Sequence, residues 1–254
     1  MSGWFTVEQL QSDTFAISEY RHWEQTHSYL LLGAERALLL DTGLGVADIG
    51  AVVRELTGLP VTAATTHVHW DHIGGHRHFH TIAVHQAERD WLDGRFPLPP
   101  QVVRQNLTAK PCAFPEGFDP GGYQVFQGTP QIVFQDGHCF DLGGRMVTAI
   151  HTPGHSPGHC CFYEPERRWL WSGDLVYEGC LDAFYPTTDP RQFLSSIQRI
   201  GRLEIDRVLP GHHRLDIPAG LIGEIEAGLS GLERAGKLEQ GGGIFDFGAF
   251  QIHI

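Results

Sequence analysis

Two apolar runs in this chain end in the same way, and that repetition limits the fold more than any other feature. The first, Arg36 to Asp41, reads as a short buried strand stopped by the turn Asp41-Thr42-Gly43. Apolar residues at Val46, Ile49, Val52, Val53 and Leu56 then keep helical spacing until Gly58 and Pro60 close the element. A β-branched run, Val61 to Thr66, leads straight into histidines at 67, 69 and 72. The second half repeats the pattern. Arg168-Trp169-Leu170-Trp171 is a strand ended by Ser172-Gly173-Asp174. Asp189 and Pro190 open a helix as N-cap and first residue, with Phe193, Leu194, Ile197 and Ile200 on one face. A strand from Asp206 to Leu209 then runs into Pro210-Gly211-His212-His213. Two such halves predict a duplicated α/β unit forming a two-sheet sandwich flanked by helices. The site is expected where the halves meet.

At 254 residues the chain is expected to form one domain, 1–254. Residues 94–131, rich in Pro and Gly and carrying Phe96, Phe114, Phe118, Tyr123 and Phe126, read as an irregular insertion with the character of a substrate lid. Beyond it, Ile132 to Phe134 and Arg145 to Ile150, with turns at Asp136-Gly137 and Gly143-Gly144, predict a β-meander. The tail after Gly241-Gly242-Gly243 is expected to supply a late edge strand.

Composition removes several classes. With 18 Lys+Arg against 30 Asp+Glu the formal charge is −12, which argues against nucleic-acid partners. No run approaches the roughly 18 apolar residues of a membrane span. The best candidate, Tyr29 to Leu40, is broken by Glu35 and Arg36. The opening Met1-Ser2-Gly3-Trp4 has no basic region followed by an apolar one, so a cytoplasmic protein is expected. Five cysteines (Cys112, Cys139, Cys160, Cys161 and Cys180) make no C-x-x-C pair and read as small buried hydrophobes.

Chemistry enters through 16 histidines. His67, His69, Asp71 and His72 form H-x-H-x-D-H. At a strand end, residues two apart point the same way, and Asp71 and His72 follow in the turn where they can face a second ion. Neutral imidazoles and a carboxylate are what zinc prefers. Asp41, at the end of its strand, is placed either to orient a ligand imidazole or simply to cap a turn.

These residues resemble the metallo-β-lactamase superfamily of hydrolases. The likeness runs through Leu40-Asp41-Thr42-Gly43, Thr66-His67-Val68-His69-Trp70-Asp71-His72-Ile73-Gly74-Gly75 and His151-Thr152-Pro153-Gly154-His155-Ser156-Pro157-Gly158-His159. It continues at Ser172-Gly173-Asp174 and Pro210-Gly211-His212. The resemblance implies the four-layer αβ/βα sandwich of that family. It implies that His67, His69 and His155 hold one metal, that Asp71, His72 and His212 hold another, and that Asp174 bridges them. The implied cofactors are two divalent ions, zinc first and iron or manganese as alternatives. His151, His159 and His213 fall where the family pattern requires no ligand.

The expected chemistry is attack on a carbonyl by a hydroxide bridging the two ions, with Asp71 or Asp174 moving the proton. Tyr177, three residues after Asp174, stands where lactone-hydrolysing relatives place a hydroxyl aimed at the developing oxyanion. Within the superfamily the overall look is closest to glyoxalase-II-like and acyl-thioester-hydrolysing members. The expected substrate is therefore a thioester or ester of a small metabolite. An acyl-homoserine-lactone-type lactonase, a β-lactamase and a non-catalytic metal-binding sensor stand as alternatives. The expected partner is a small molecule, with no nucleic acid and no membrane, and the sequence leaves a homodimer open.

Overall fold

The computed structural model describes residues 3–254, so Met1 and Ser2, on which the N-terminal reading began, lie outside the described residues. The described residues form two compact units, 3–134 with Phe140–Arg145, and Gln135–Cys139 with Met146–Ile254.

The first unit is built on a seven-stranded sheet whose spatial order follows the chain: β1 (Thr6–Gln11), β2 (Thr14–Ser18), β3 (His27–Leu32), β4 (Ala37–Leu40), β5 (Val61–Ala64), β6 (Thr81–His85) and β7 (Ile132–Phe134). Pairing is antiparallel from β1 to β4 and parallel from β4 to β7. The whole of β4 is buried, as a strand covered on both faces should be, which is why it reads as Ala-Leu-Leu-Leu without alternation. Helix α1 (Ile49–Leu56) makes the crossover from β4 to β5, and Asp48 caps it by accepting from the Ala51 N–H at 2.9 Å. Its Ile49, Val52 and Val53 pack on Ile17, Leu30 and Leu39. The one-turn helix α2 (Trp70–Ile73) follows β5.

After β6 come the short helix α3 (Arg89–Leu92) and, inside the segment 94–131, the helix α4 (Pro100–Leu107). That segment is therefore not wholly irregular. Pro100 stands at the start of α4, where its missing N–H costs nothing, and Val103, Leu107 and Tyr123 bury themselves with Trp4, Leu44, Val46 and Trp70. The expected meander is also corrected. β7 lies parallel to β6, held by a register that a three-residue strand cannot announce.

The chain passes between the units at 134/135, at 139/140 within the short strand β8 (Cys139–Asp141), and at 145/146. In the second unit β9 (Met146–His151), β10 (Cys160–Glu164) and β11 (Trp169–Gly173) pair antiparallel, and β13 (Arg207–Pro210) lies parallel to β11. Helix α5 (Pro190–Ile200) is capped by Asp189, which accepts from the Arg191 and Gln192 N–H groups, with Pro190 in the first turn as predicted. It buries Phe193, Leu194, Ile197 and Ile200 with Ile222, Ile225 and Leu229 of α6 (Leu221–Arg234). A small sheet joins β12 (Cys180–Asp182), β15 (Gln251–His253) and β14 (Ile244–Asp246) in that order. The tail strand β15 is thus central rather than an edge, because β14 folds back on it antiparallel. Only Cys160 and Cys161 are buried as expected; Cys112 and Cys180 are half-buried and Cys139 is exposed. No helix among the described residues is long and apolar enough to cross a membrane.

Candidate metal-binding clusters

In the first unit Asp41 organises the cluster. It stands at φ +59°, a left-handed backbone that Asp tolerates better than most residues. Its carboxylate accepts from the Thr66 N–H and Thr66 Oγ1–H, each at 2.7 Å, and from His72 Nδ1 at 2.8 Å. These bonds set the proton positions. Because Thr66 spends its hydroxyl proton on Asp41, its oxygen accepts from His67 Nδ1 at 3.0 Å, and His67 presents a bare Nε2. His72 likewise gives its Nδ1 proton to Asp41 and presents Nε2. His67 Nε2 stands 3.0 Å from His69 Nδ1, and His72 Nε2 stands 3.6 Å from an Asp71 oxygen. His67, Asp71 and His72 are buried and His69 is half-buried.

The turn after β4 clamps this arrangement. Thr42 N–H donates to the His72 carbonyl at 2.7 Å and Gly74 N–H to the Gly43 carbonyl at 2.9 Å. A Cβ on Gly74 would come within 2.2 Å of the Leu44 carbonyl oxygen, so only glycine allows the two loops to meet. Glu19 holds the same turn, accepting from the Leu44 N–H at 2.8 Å and from Trp4 Nε1 at 2.6 Å. Burial pushes its carboxyl up to about 7.

In the second unit Asp174 is the centre. One of its oxygens, Oδ2, lies 3.1 Å from His212 Nε2 and 3.4 Å from His155 Nε2. His155 gives its Nδ1 proton to the Asp182 carbonyl at 3.0 Å, so it too turns a bare Nε2 toward a carboxylate. The Asp174 N–H donates to His159 Nε2 at 3.1 Å, which occupies His159 in holding the backbone. His151 faces the Pro157 carbonyl at 2.9 Å. The loop that carries His155 is seated on α5: Asp189 N–H donates to the Gly154 carbonyl at 2.8 Å and Ser196 Oγ to the Pro153 carbonyl at 2.6 Å. Gly154 has φ +137°, and a Cβ there would stand 2.3 Å from the Phe193 backbone.

Tyr177 is buried, with its ring 5.6 Å from that of His212 and 5.8 Å from that of His213, and its hydroxyl donates to the Cys180 carbonyl. The proton that sequence reasoning reserved for an oxyanion is directed at the backbone instead. Phe184 stacks on His253. Residues whose part was not foreseen are Thr66, Asp182 through its carbonyl, and Glu19. A backbone acceptor leaves no mark in residue type, so Asp182 had no signal to find.

Chemically, the clusters point lone pairs at carboxylates. His72 Nε2 against Asp71 and His155 Nε2 against Asp174 are favourable with a cation between them, either a proton on the imidazole or a metal ion. Two ligand atoms bound tetrahedrally to one zinc stand ~3.3 Å apart, close to the separations seen within each cluster. The donor set of imidazole and carboxylate suits a divalent ion of zinc's character, so the residues present fit one.

A family model described as the metallo-beta-lactamase superfamily matches residues 21–212. Among curated relatives, acyl-coenzyme A thioesterase MBLAC2 of Gallus gallus is 31% identical over 229 residues, 84% of this chain and 82% of that protein. Its namesake from Homo sapiens is 29% identical, over 82% and 81% respectively. A solved metallo-beta-lactamase family protein from Thermus thermophilus superposes with a TM-score of 0.67 at 23% identity, covering 89% of this chain and 82% of that one, a likeness of fold. The chain belongs to the metallo-beta-lactamase superfamily of hydrolases.

Proposed function

We propose that this chain hydrolyses small-molecule acyl thioesters, acyl-coenzyme A thioesters first, with two divalent ions, zinc before iron or manganese. In this reading His67, His69 and His155 are ligands of one ion, Asp71, His72 and His212 of the other, and Asp174 is shared. The observation that carries it is the set of imidazoles whose Nδ1 atoms are engaged by Asp41, Thr66 and Asp182, so that Nε2 faces other ligand atoms within each unit. The substrate class rests on the Gallus gallus relative, whose name is that of an acyl-coenzyme A thioesterase.

When bound, such ions supply acidified water near neutral pH and positive charge for a carbonyl oxygen. The chain's own part is positional and acid–base. Asp41 holds His72 directly and His67 through Thr66, and the Asp182 carbonyl holds His155. Asp71 or Asp174 takes the proton of the attacking water. Oxygen adds to the acyl carbon, the carbon–sulfur bond breaks, and the thiolate takes up a proton. A cysteine nucleophile is not needed, and burial opposes one: it pushes the Cys161 thiol up to about 12 and that of Cys180 to about 11.

The test is a panel of acyl-coenzyme A thioesters, an acyl-homoserine lactone, a chromogenic cephalosporin and a phosphodiester. Thioester turnover that disappears on chelation and in Asp71→Ala, with the fold retained, is the expected result. Preference for the lactone or the cephalosporin would replace the substrate class, cleavage of the phosphodiester alone would overturn the carbonyl-hydrolase reading, and no turnover at all would leave a metal-binding sensor.

A further inference from the structure

A second set of ligand-type side chains gathers in the small sheet of the second unit. β12 and β15 run parallel, with Cys180 opposite Gln251 and Asp182 opposite His253. Side chains two apart on a strand share a face, so Cys180 and Asp182 project together on the side where His253 stands. The result is a triad drawn from both strands. Cys180 Sγ lies 3.8 Å from Asp182 Oδ1, and His253 Nδ1 lies 3.5 Å from the same oxygen. The three ligand atoms all fall within 4.8 Å of one another, and all three residues are half-buried.

We propose that Cys180, Asp182 and His253 form a further site for a divalent ion with an affinity for sulfur, zinc by preference, distinct from the seven residues assigned above. Bond lengths of zinc to sulfur, oxygen and nitrogen, taken at tetrahedral angles, place sulfur and oxygen ~3.6 Å apart and nitrogen and oxygen ~3.4 Å apart. The triad is within a few tenths of an ångström of both. A nucleophilic reading fits less well, since the carboxylate against Cys180 is a weak base for a thiol and His253 Nδ1 is directed at Asp182.

The His253 ring is stacked on Phe184, with centroids 3.7 Å apart and 19° between planes, and register fixes Asp182 beside it. Three protein ligands leave a fourth position for water, as in open zinc sites. On binding, Cys180 loses its thiol proton to solvent, a sulfur–metal bond forms, and no electron changes hands. The same Asp182 gives its backbone carbonyl to His155 Nδ1, so an ion on its side chain ties the C-terminal strand to the support of a proposed ligand.

The experiment uses the full chain. It is loaded with zinc, freed of excess and counted for metal per chain, as wild type, C180S, His253→Gln and, as a control at an exposed cysteine, C139S. Cobalt replaces zinc in a parallel sample. Wild type and C139S are expected to carry one ion more than C180S and His253→Gln, a difference that stands whatever the seven other residues hold. Cobalt-loaded wild type is expected to show a thiolate-to-cobalt charge-transfer absorption that C180S loses. Equal counts in wild type and both variants, or the absence of that absorption from wild type, would overturn the proposal. The wild-type spectrum needs no variant, so a variant that fails to fold offers it no shelter.

Discussion

Asp41 ends β4, beside the parallel strand β5 that leads to His67; Asp174 follows β11, beside the parallel strand β13 that leads to His212. The two aspartates hold the same place in two matching strand pairs, and their carboxylates are employed differently. Asp41 points into its own unit, and its oxygens are taken by Thr66 and His72 Nδ1, the nitrogen across the ring from the one that faces Asp71. Asp174 turns Oδ2 to the Nε2 atoms of His155 and His212, while its backbone N–H is caught by His159. Position at a strand end therefore brings a carboxylate to the cluster, and in the proposed reading the local hydrogen bonds decide whether it would orient ligands or act as one. Asp41 makes these bonds from a left-handed backbone, at φ +59°.

The largest expected effect lies on the Asp174 side. Asp174→Asn keeps shape and removes the charge that faces two imidazoles. Thioester turnover should fall by more than ~100-fold, beyond what loss of a residue behind the ligands produces, and bound metal should fall with it. Asp41→Asn should cost ~10–100-fold in metal affinity or turnover, since an amide still accepts one hydrogen bond and Asn tolerates the left-handed backbone. Excess metal should restore part of the Asp41→Asn activity and little of the Asp174→Asn activity. Asp41→Ala would add ~1–2 kcal/mol of backbone strain to the same loss, measurable as a lower urea midpoint. If the two Asn variants behaved alike, the division of labour between the aspartates would be wrong.

Much of this was legible before the structure. The apolar runs, their terminal Asp-Thr-Gly and Ser-Gly-Asp turns, and the Asp189-Pro190 helix start are written in local residue types, because strand burial and capping are local physics. What was hidden is what long-range pairing decides. A three-residue strand such as β7 carries no sign of its partner, so its place beside β6 could not be read. Cys180 and His253 meet only because β12 and β15 share a register, and each alone looked like an ordinary residue. The Asp182 carbonyl that holds His155 was invisible for a simpler reason, since every residue has one.

A second contrast separates two buried histidines. His159 in the second unit uses both ring nitrogens, with Thr152 Oγ1 at 2.9 Å and the Asp174 N–H at 3.1 Å. His76 in the first unit meets Thr42 Oγ1 at 2.6 Å through Nδ1, while its buried Nε2 has no hydrogen-bond partner. Burial, with a smaller contribution from nearby His72, pulls His76 from 6.5 down to about 3. Between those values the unfolded chain binds the extra proton, so the stability due to a neutral His76 is whole above 6.5 and drains as pH falls toward 3. Urea midpoints of the metal-free chain should fall across that window, and His76→Phe should flatten the decline. An unchanged slope would show that the proton is taken up elsewhere.

The smallest effect is expected at Tyr177, and it tests whether the second unit holds an oxyanion donor besides its ligands. The hydroxyl donates to the Cys180 carbonyl and the ring lies against His212 and His213, so the residue ties the segment after Asp174 to β12. Tyr177→Phe keeps the ring and deletes that bond, which should cost about 1 kcal/mol of stability. Turnover should then fall less than ~10-fold, since orientation of His212 by the ring survives. Loss of one true oxyanion donor costs on the order of 100-fold or more in kcat. A kcat decrease of that size at constant KM and constant metal content would mean that the hydroxyl leaves Cys180 when substrate binds, making the backbone bond a resting position rather than the role of the residue.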